Sequence, residues 1–167
     1  MNWYILYCQS VKLEQLRDIF NSKKDIEAFI PMMEIYRRDR EYLVLEKMFP
    51  GYLFIKTHRI QEEFNDFLTG LKDQKNGVIK ELRKKEVSAM REEEIELFEK
   101  LLDEKGIVKM SYGERISNRS IATEGPLKNY SKNIRRVDFY RRLAYLDIEF
   151  LGREIICGFT VKRISKI

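Results

Sequence analysis

Lys47-Met48-Phe49-Pro50-Gly51-Tyr52-Leu53-Phe54-Ile55-Lys56-Thr57 decides how this chain is read. Pro50 fixes its own φ and Gly51 tolerates a positive one, so the pair predicts a tight turn between a strand ending at Phe49 and a second running from Tyr52 to Ile55. Side chains alternate across a strand, which puts Tyr52 and Phe54 on one face and Leu53 and Ile55 on the other. Both faces are apolar. In a small α+β domain two or three helices cover only one face of a sheet, so the second face calls for a further layer or a docking partner; the alternative is a strand buried in a core.

Upstream of this stretch, Trp3, Ile5 and Tyr7 alternate with Tyr4, Leu6 and Cys8, a second strand that is apolar on both sides. Leu13, Leu16, Ile19 and Phe20 recur at helical spacing and predict an amphipathic helix over 12–21. Residues 27–38 and 41–49 read as two strands joined by a polar turn at Arg38-Asp39-Arg40. Downstream, Ile60, Phe64, Phe67, Leu68 and Leu71 mark one helix face, and 78–82 gives a short strand. Ser88 is placed as the N-cap of a helix that opens with Glu92, Glu93 and Glu94, where negative charge suits the dipole, and buries Ile95, Phe98, Leu101 and Leu102. The order β, α, β, β, α, β, α is a ferredoxin-like split βαβ pattern with one extra helix.

After Leu102 the texture changes. Residues 103–112 lack helical periodicity and predict a linker. Turn chemistry then recurs at Gly125-Pro126, Lys132-Asn133, 138–141 and Leu151-Gly152, the cadence of a small five-stranded β-barrel over 113–167. Ala144, Leu146, Ile148 and Phe150 alternate with polar Asp147 and Glu149, as a strand with one wet face requires. The expected architecture is α+β, with separately folding domains at 1–102 and 113–167.

Composition narrows the function classes. With 35% charged and 44% hydrophobic residues in 167, the chain reads as soluble and globular, and no apolar run approaches the roughly 20 residues that span a bilayer. A cytoplasmic monomer without membrane contact is expected. Cys8 and Cys157 sit in apolar stretches as packed free thiols, and with one histidine they cannot make an ordinary zinc site, so no metal or cofactor is expected. His58 has no catalytic partner at useful spacing and there is no Gly-rich phosphate loop, which argues against an enzyme. Charge is uneven: 1–102 holds 18 Lys+Arg against 19 Asp+Glu, whereas 103–167 holds 14 against 8. The excess basicity belongs to the C-terminal third and points to nucleic acid or another anionic surface, against the plainer reading of a solvated basic face.

Trp3-Tyr4, the Phe49-Pro50-Gly51-Tyr52 turn, Glu124-Gly125-Pro126-Leu127, Val137-Asp138 and Phe150-Leu151-Gly152-Arg153, in this order, resemble a NusG-family transcription elongation factor. Its N-terminal NGN domain would be the ferredoxin-like half, and its KOW domain the SH3-like barrel. Lys132 stands where the family's KOW signature usually has glycine, and about four extra residues separate Gly113-Glu114 from Gly125-Pro126. Together with the dense basic content, this makes the chain more similar to the specialised LoaP-type antitermination paralogs. In another specialist, RfaH, the KOW domain can refold into a helical hairpin; the period-two pattern at 143–150 predicts a barrel here.

The resemblance implies that Trp3, Tyr4, Phe49, Pro50, Gly51, Tyr52 and Phe54 dock on the clamp helices of RNA polymerase, with Trp3 and Phe54 the first candidates for plain core. It makes Arg37, Arg38 and Arg40 candidates for contact with upstream or non-template DNA. The Phe150-Leu151-Gly152-Arg153 loop matches the surface by which relatives bridge to termination factor Rho or a ribosomal protein. For the basic third, the expected ligand is an RNA hairpin held by Lys128, Lys132, Arg135, Arg136, Arg141, Arg142 and Arg153, with Tyr130 and Tyr140 placed to stack on unpaired bases.

Overall fold

The structure, a computed structural model, describes residues 1–79 and 89–165. Most of the strand expected at 78–82 and the cap at Ser88 lie outside the described residues; Val78 itself bridges Cys8 in antiparallel fashion. The chain folds into two compact units, 1–31 with 49–97 and 32–48 with 98–167.

The first unit is built on a three-stranded antiparallel sheet of β1 (Asn2–Tyr7), β5 (Tyr52–Thr57) and β2 (Glu27–Phe29), with β5 in the centre. The quoted turn forms as expected. Tyr52 N donates to Phe49 O at 3.1 Å, Gly51 takes a φ of 89°, and a Cβ there would come within 2.8 Å of the Tyr7 ring, so only glycine suits the position. The register pairs Tyr4 with Ile55 and Leu6 with Leu53 on one face, and Trp3 with Lys56, Ile5 with Phe54 and Tyr7 with Tyr52 on the other. Helices α1 (Leu13–Asn21) and α2 (Gln61–Leu71) are coupled to each other and to the first face through rings: Phe20 lies 5.8 Å from Phe67, and Phe64 stacks on Tyr4 at 4.1 Å. Leu13, Leu16, Phe20, Phe64 and Leu71 are the buried members of the two stripes read from the sequence.

The strand expected over 27–38 breaks at Ile30-Pro31. Pro31 has no N–H to give a ladder, and the chain resumes as β3 (Met32–Arg37), which pairs with β4 (Tyr42–Lys47) in the second unit. The turn between them falls at Arg38-Asp39-Arg40-Glu41, with Arg40 N donating to Arg37 O. Helix α3 (Glu92–Leu101) starts where the three glutamates predict, and its last turn belongs to the second unit. Leu97, Phe98 and Leu101 form its buried stripe; Ile95 and Leu102 are only half-buried.

Within the stretch expected as a linker, Ile107–Val108 forms β6, parallel to β3, and Val108 and Met110 are buried. The rest of the second unit is a curled five-stranded sheet of β7 (Ser111–Ile116), β8 (Arg119–Glu124), β9 (Ile134–Asp138), β10 (Leu143–Phe150) and β11 (Arg153–Ser165), in the order β8-β7-β11-β10-β9. β11 is antiparallel to β10 and parallel to β7. Ala144, Leu146 and Phe150 point into the core as the alternation predicts, with Ile155, Cys157 and Phe159 beside them. Ile148 is half-buried, because the register shifts between Tyr145 and Glu149. The Gly125-Pro126 turn opens into a 3-10 segment, Pro126–Asn133, in place of a simple hairpin. The strands observed over 143–150 and 153–165 are those of a β-sheet module, not a helical hairpin. The chain is thus α+β, as expected.

Candidate nucleic-acid interface

The anticipated cations separate into two groups. Lys132, Arg135 and Arg136 line one groove of about 770 Å³ in the second unit. Lys128 lines an adjoining depression that shares Lys132, Ser131 and Ile121 with it. Two further arginines, Arg115 at the end of β7 and Arg119 at the start of β8, complete the groove and were not singled out from the sequence. Their signal was present: Ser117-Asn118 is a two-residue turn, and a turn brings the residues on either side of it together, as the Ile116–Arg119 pairing shows. Among the described residues, no carboxylate lines the groove.

Each groove cation is held differently. Arg135 pairs with Glu154, which offsets part of its charge. Arg136 lies over the Tyr145 ring at 3.6 Å and Arg115 over the Phe139 ring at 5.0 Å, so both guanidinium groups are oriented by aromatic faces while staying charged. Arg119 and Lys132 are exposed, and among the described residues neither is paired with a carboxylate.

Arg141 and Arg142 lie outside the groove lining, in the β9–β10 turn. Arg141 sits 3.9 Å from Asp138, and Arg142, at a φ of 57°, stacks on Tyr36 of β3 at 3.7 Å. Arg38 answers from the β3–β4 turn: its guanidinium lies 4.1 Å from the centre of the Tyr140 ring and donates to Tyr140 O at 3.0 Å. Tyr140, 68% exposed, is therefore already stacked on an arginine, and Tyr130 is half-buried in the 3-10 segment. Of the hairpin cations, Arg37 pairs with Glu46 and Arg40 donates to the Tyr42 hydroxyl. Arg153 is exposed at the start of β11. The two residues before it, Leu151 and Gly152, make a left-handed turn with φ of 54° and 71°, which leaves Leu151 exposed while Phe150 is buried edge-on against Phe98.

In the first unit, Trp3, Phe49, Phe54 and Tyr52 do gather on one side of the sheet. Trp3 meets Phe29 at 5.6 Å, Phe29 meets Phe54 at 5.6 Å, and Phe54 stacks with Phe49 at 5.9 Å, so Phe29 belongs to the cluster although the sequence reading passed it over. Trp3, Phe49, Gly51 and Phe54 are buried, Tyr52 is half-buried and Pro50 is exposed. Tyr4 takes the opposite face, under α2, with its hydroxyl donating to Arg59 O at 2.6 Å. Lys56 caps the cluster at 4.7 Å from Trp3 and 5.0 Å from Phe29.

Both cysteines are buried and unpaired, and burial pushes each thiol up to about 12. Among the described residues, no group of three or more His, Cys, Asp or Glu is placed to hold a metal ion, and no helix is long and apolar enough to cross a membrane.

The family model described as transcription termination factor NusG matches residues 1–99. The chain belongs to the NusG family of transcription factors. Among solved structures, one described as "Domain interaction in Thermotoga maritima NusG" is similar over 95% of this chain and 93% of that one, at 17% identity and a TM-score of 0.49. A comparison with curated proteins finds no match.

Proposed function

We propose that the protein is an elongation and antitermination factor of the specialised LoaP type, which docks on the clamp helices of RNA polymerase through the first unit and holds an RNA hairpin through the basic side of the C-terminal sheet. The observation that carries the RNA half is the gathering of Lys132, Arg135 and Arg136 with Arg115 and Arg119 around one groove that, among the described residues, no carboxylate lines. Separate surface cations are each screened by water and salt, but a cluster neutralises several phosphates at once and releases their counterions, so affinity falls steeply with salt. Arg141, Arg142 and Arg153 extend the basic surface beyond the groove. For the polymerase half, the support is the Pro50-Gly51-Tyr52 turn, where exposed Pro50 and half-buried Tyr52 are held by the buried rings of Trp3, Phe49 and Phe54 behind them, an apolar edge of the kind that receives an amphipathic helix. The hairpin cations Arg37, Arg38 and Arg40 stand as the DNA-facing group.

The test is charge reversal at Lys132 and Arg136 together. Loss of hairpin RNA binding and of antitermination, with polymerase binding retained, is the expected result. Unchanged RNA affinity with an unchanged salt slope overturns the RNA half.

One observation favours a second reading. Leu151 stands exposed on the left-handed tip of the β10–β11 turn, as a residue that contacts another protein would. On that reading the C-terminal sheet bridges polymerase to Rho or a ribosomal protein, and Leu151→Ser separates the two by weakening protein capture while sparing RNA.

A further inference from the structure

We infer that the groove between the β7–β8 turn and β9 is a seat for unpaired RNA nucleotides, with Phe139 as the stacking platform and Arg115, Arg119, Lys132 and Arg136 as the phosphate contacts. The inference rests on the RNA-binding reading above and says which part of an RNA the groove takes. Three observations carry it. The first is size: about 770 Å³ lies within the roughly 300–1,000 Å³ of cavities that accept one small ligand, a scale suited to a few nucleotides rather than to a helix.

The second is the ring. Phe139 is 42% exposed in a turn, a position where a large apolar side chain gains little from the core, and Arg115 braces it at 5.0 Å. An exposed aromatic ring beside cations is the arrangement by which proteins hold single strands, because every base offers a π-face while the charges follow the backbone. A duplex would leave the ring unused, since its bases are stacked on one another and offer no free π-face. The third is available charge: among the described residues Arg119 and Lys132 have no carboxylate partner, so their charge is uncommitted. Asn118, between the two arginines in sequence, adds an amide that can both donate to and accept from a base edge.

The experiment uses the full chain and fluorescence anisotropy with four labelled probes: a uridine oligomer, a blunt RNA duplex of the same length, an RNA hairpin, and an oligoglutamate peptide. The uridine oligomer is expected to bind more tightly than the duplex. Phe139→Ala should weaken the oligomer by about tenfold and leave the duplex unchanged. Arg119→Gln should reduce the slope of log affinity against log salt for the oligomer by about one. Both positions are exposed, and unchanged melting temperatures confirm that the variants are folded. Equal affinity for duplex and oligomer, or a neutral Phe139→Ala, overturns the inference even where hairpin binding survives. Tighter binding of oligoglutamate than of RNA assigns the groove to an acidic protein segment and also overturns it. If neither the oligomer nor a hairpin binds, the RNA-binding reading falls together with this one.

Discussion

Phe49 and Tyr52 lie three residues apart on one turn yet answer to different forces. Phe49 is 2% exposed and stacked on Phe54, so Phe49→Ala should cost about 3–5 kcal/mol of stability in urea unfolding, through a cavity the sheet cannot close. Tyr52 is half-buried, its ring 4.9 Å from Tyr7, so Tyr52→Ala should leave the midpoint almost in place and weaken polymerase binding by about 2 kcal/mol. A large loss of stability with unchanged affinity in the folded fraction would make Tyr52 a core residue. The cysteines give a second prediction at this scale. A thiol raised from its ordinary 9.0 to about 12 stays protonated in the folded chain while it ionises in the unfolded one. Its contribution is therefore full below pH 9 and is lost as pH rises from 9 towards 12. Unfolding midpoints should fall across that window, less so for Cys157→Ala, and neither thiol should react with a disulfide reagent at pH 8 until the chain unfolds. Residue by residue, the sequence named the ring cluster well and its faces imperfectly: Trp3 and Tyr4 are adjacent, and alternation alone sends them to opposite sides of β1.

Elements with strong periodicity were the easiest to read. The two helices carrying Phe20 and Phe64 were legible because a 3.6-residue stripe has no other stable use, and β10 because period two does not fit a helix. The division of 27–38 was not legible, although Pro31 marked the place, because both pieces are strand-like and only their pairing partners differ. The pairing of Arg38 with Tyr140 and of Arg142 with Tyr36 was equally out of reach: these residues are about a hundred positions apart in sequence, and no local pattern encodes such a contact. That reciprocal exchange ties the β3–β4 hairpin to the β9–β10 turn within the second unit. A double-mutant cycle with Tyr36→Leu and Arg142→Met should give a coupling energy of about 1 kcal/mol, read by denaturant unfolding. Additive effects would mean that the two side chains are merely neighbours. Arg115 and Arg119 were missed for a related reason, since a pair of cations flanking a turn looks like ordinary solvated charge until the groove beside it is seen.

For the whole molecule, the charge asymmetry was the most informative quantity in the sequence, because it holds whatever the register of the strands. The boundary at 103–112 is open to direct measurement. Val108, Met110 and Ser111 are buried, and Ser111 Oγ accepts from Leu127 N at 2.9 Å, so a fragment 103–167 should melt about 10 °C above a fragment 113–167. Equal melting temperatures would make the segment a tether. The strand order β8-β7-β11-β10-β9 also sets a timetable. Its middle strand is the last of the five to leave the ribosome, at about 5–20 residues per second. Until then the nascent chain holds two hairpins, β7–β8 and β9–β10, each with an open edge and joined only through the 3-10 segment at Pro126–Asn133. During that interval the Arg115–Arg119 and Arg135–Arg136 sides of the groove sit on hairpins that share no strand, and a chain released before Arg153 would carry every cation of the groove without the strand that completes the sheet between them.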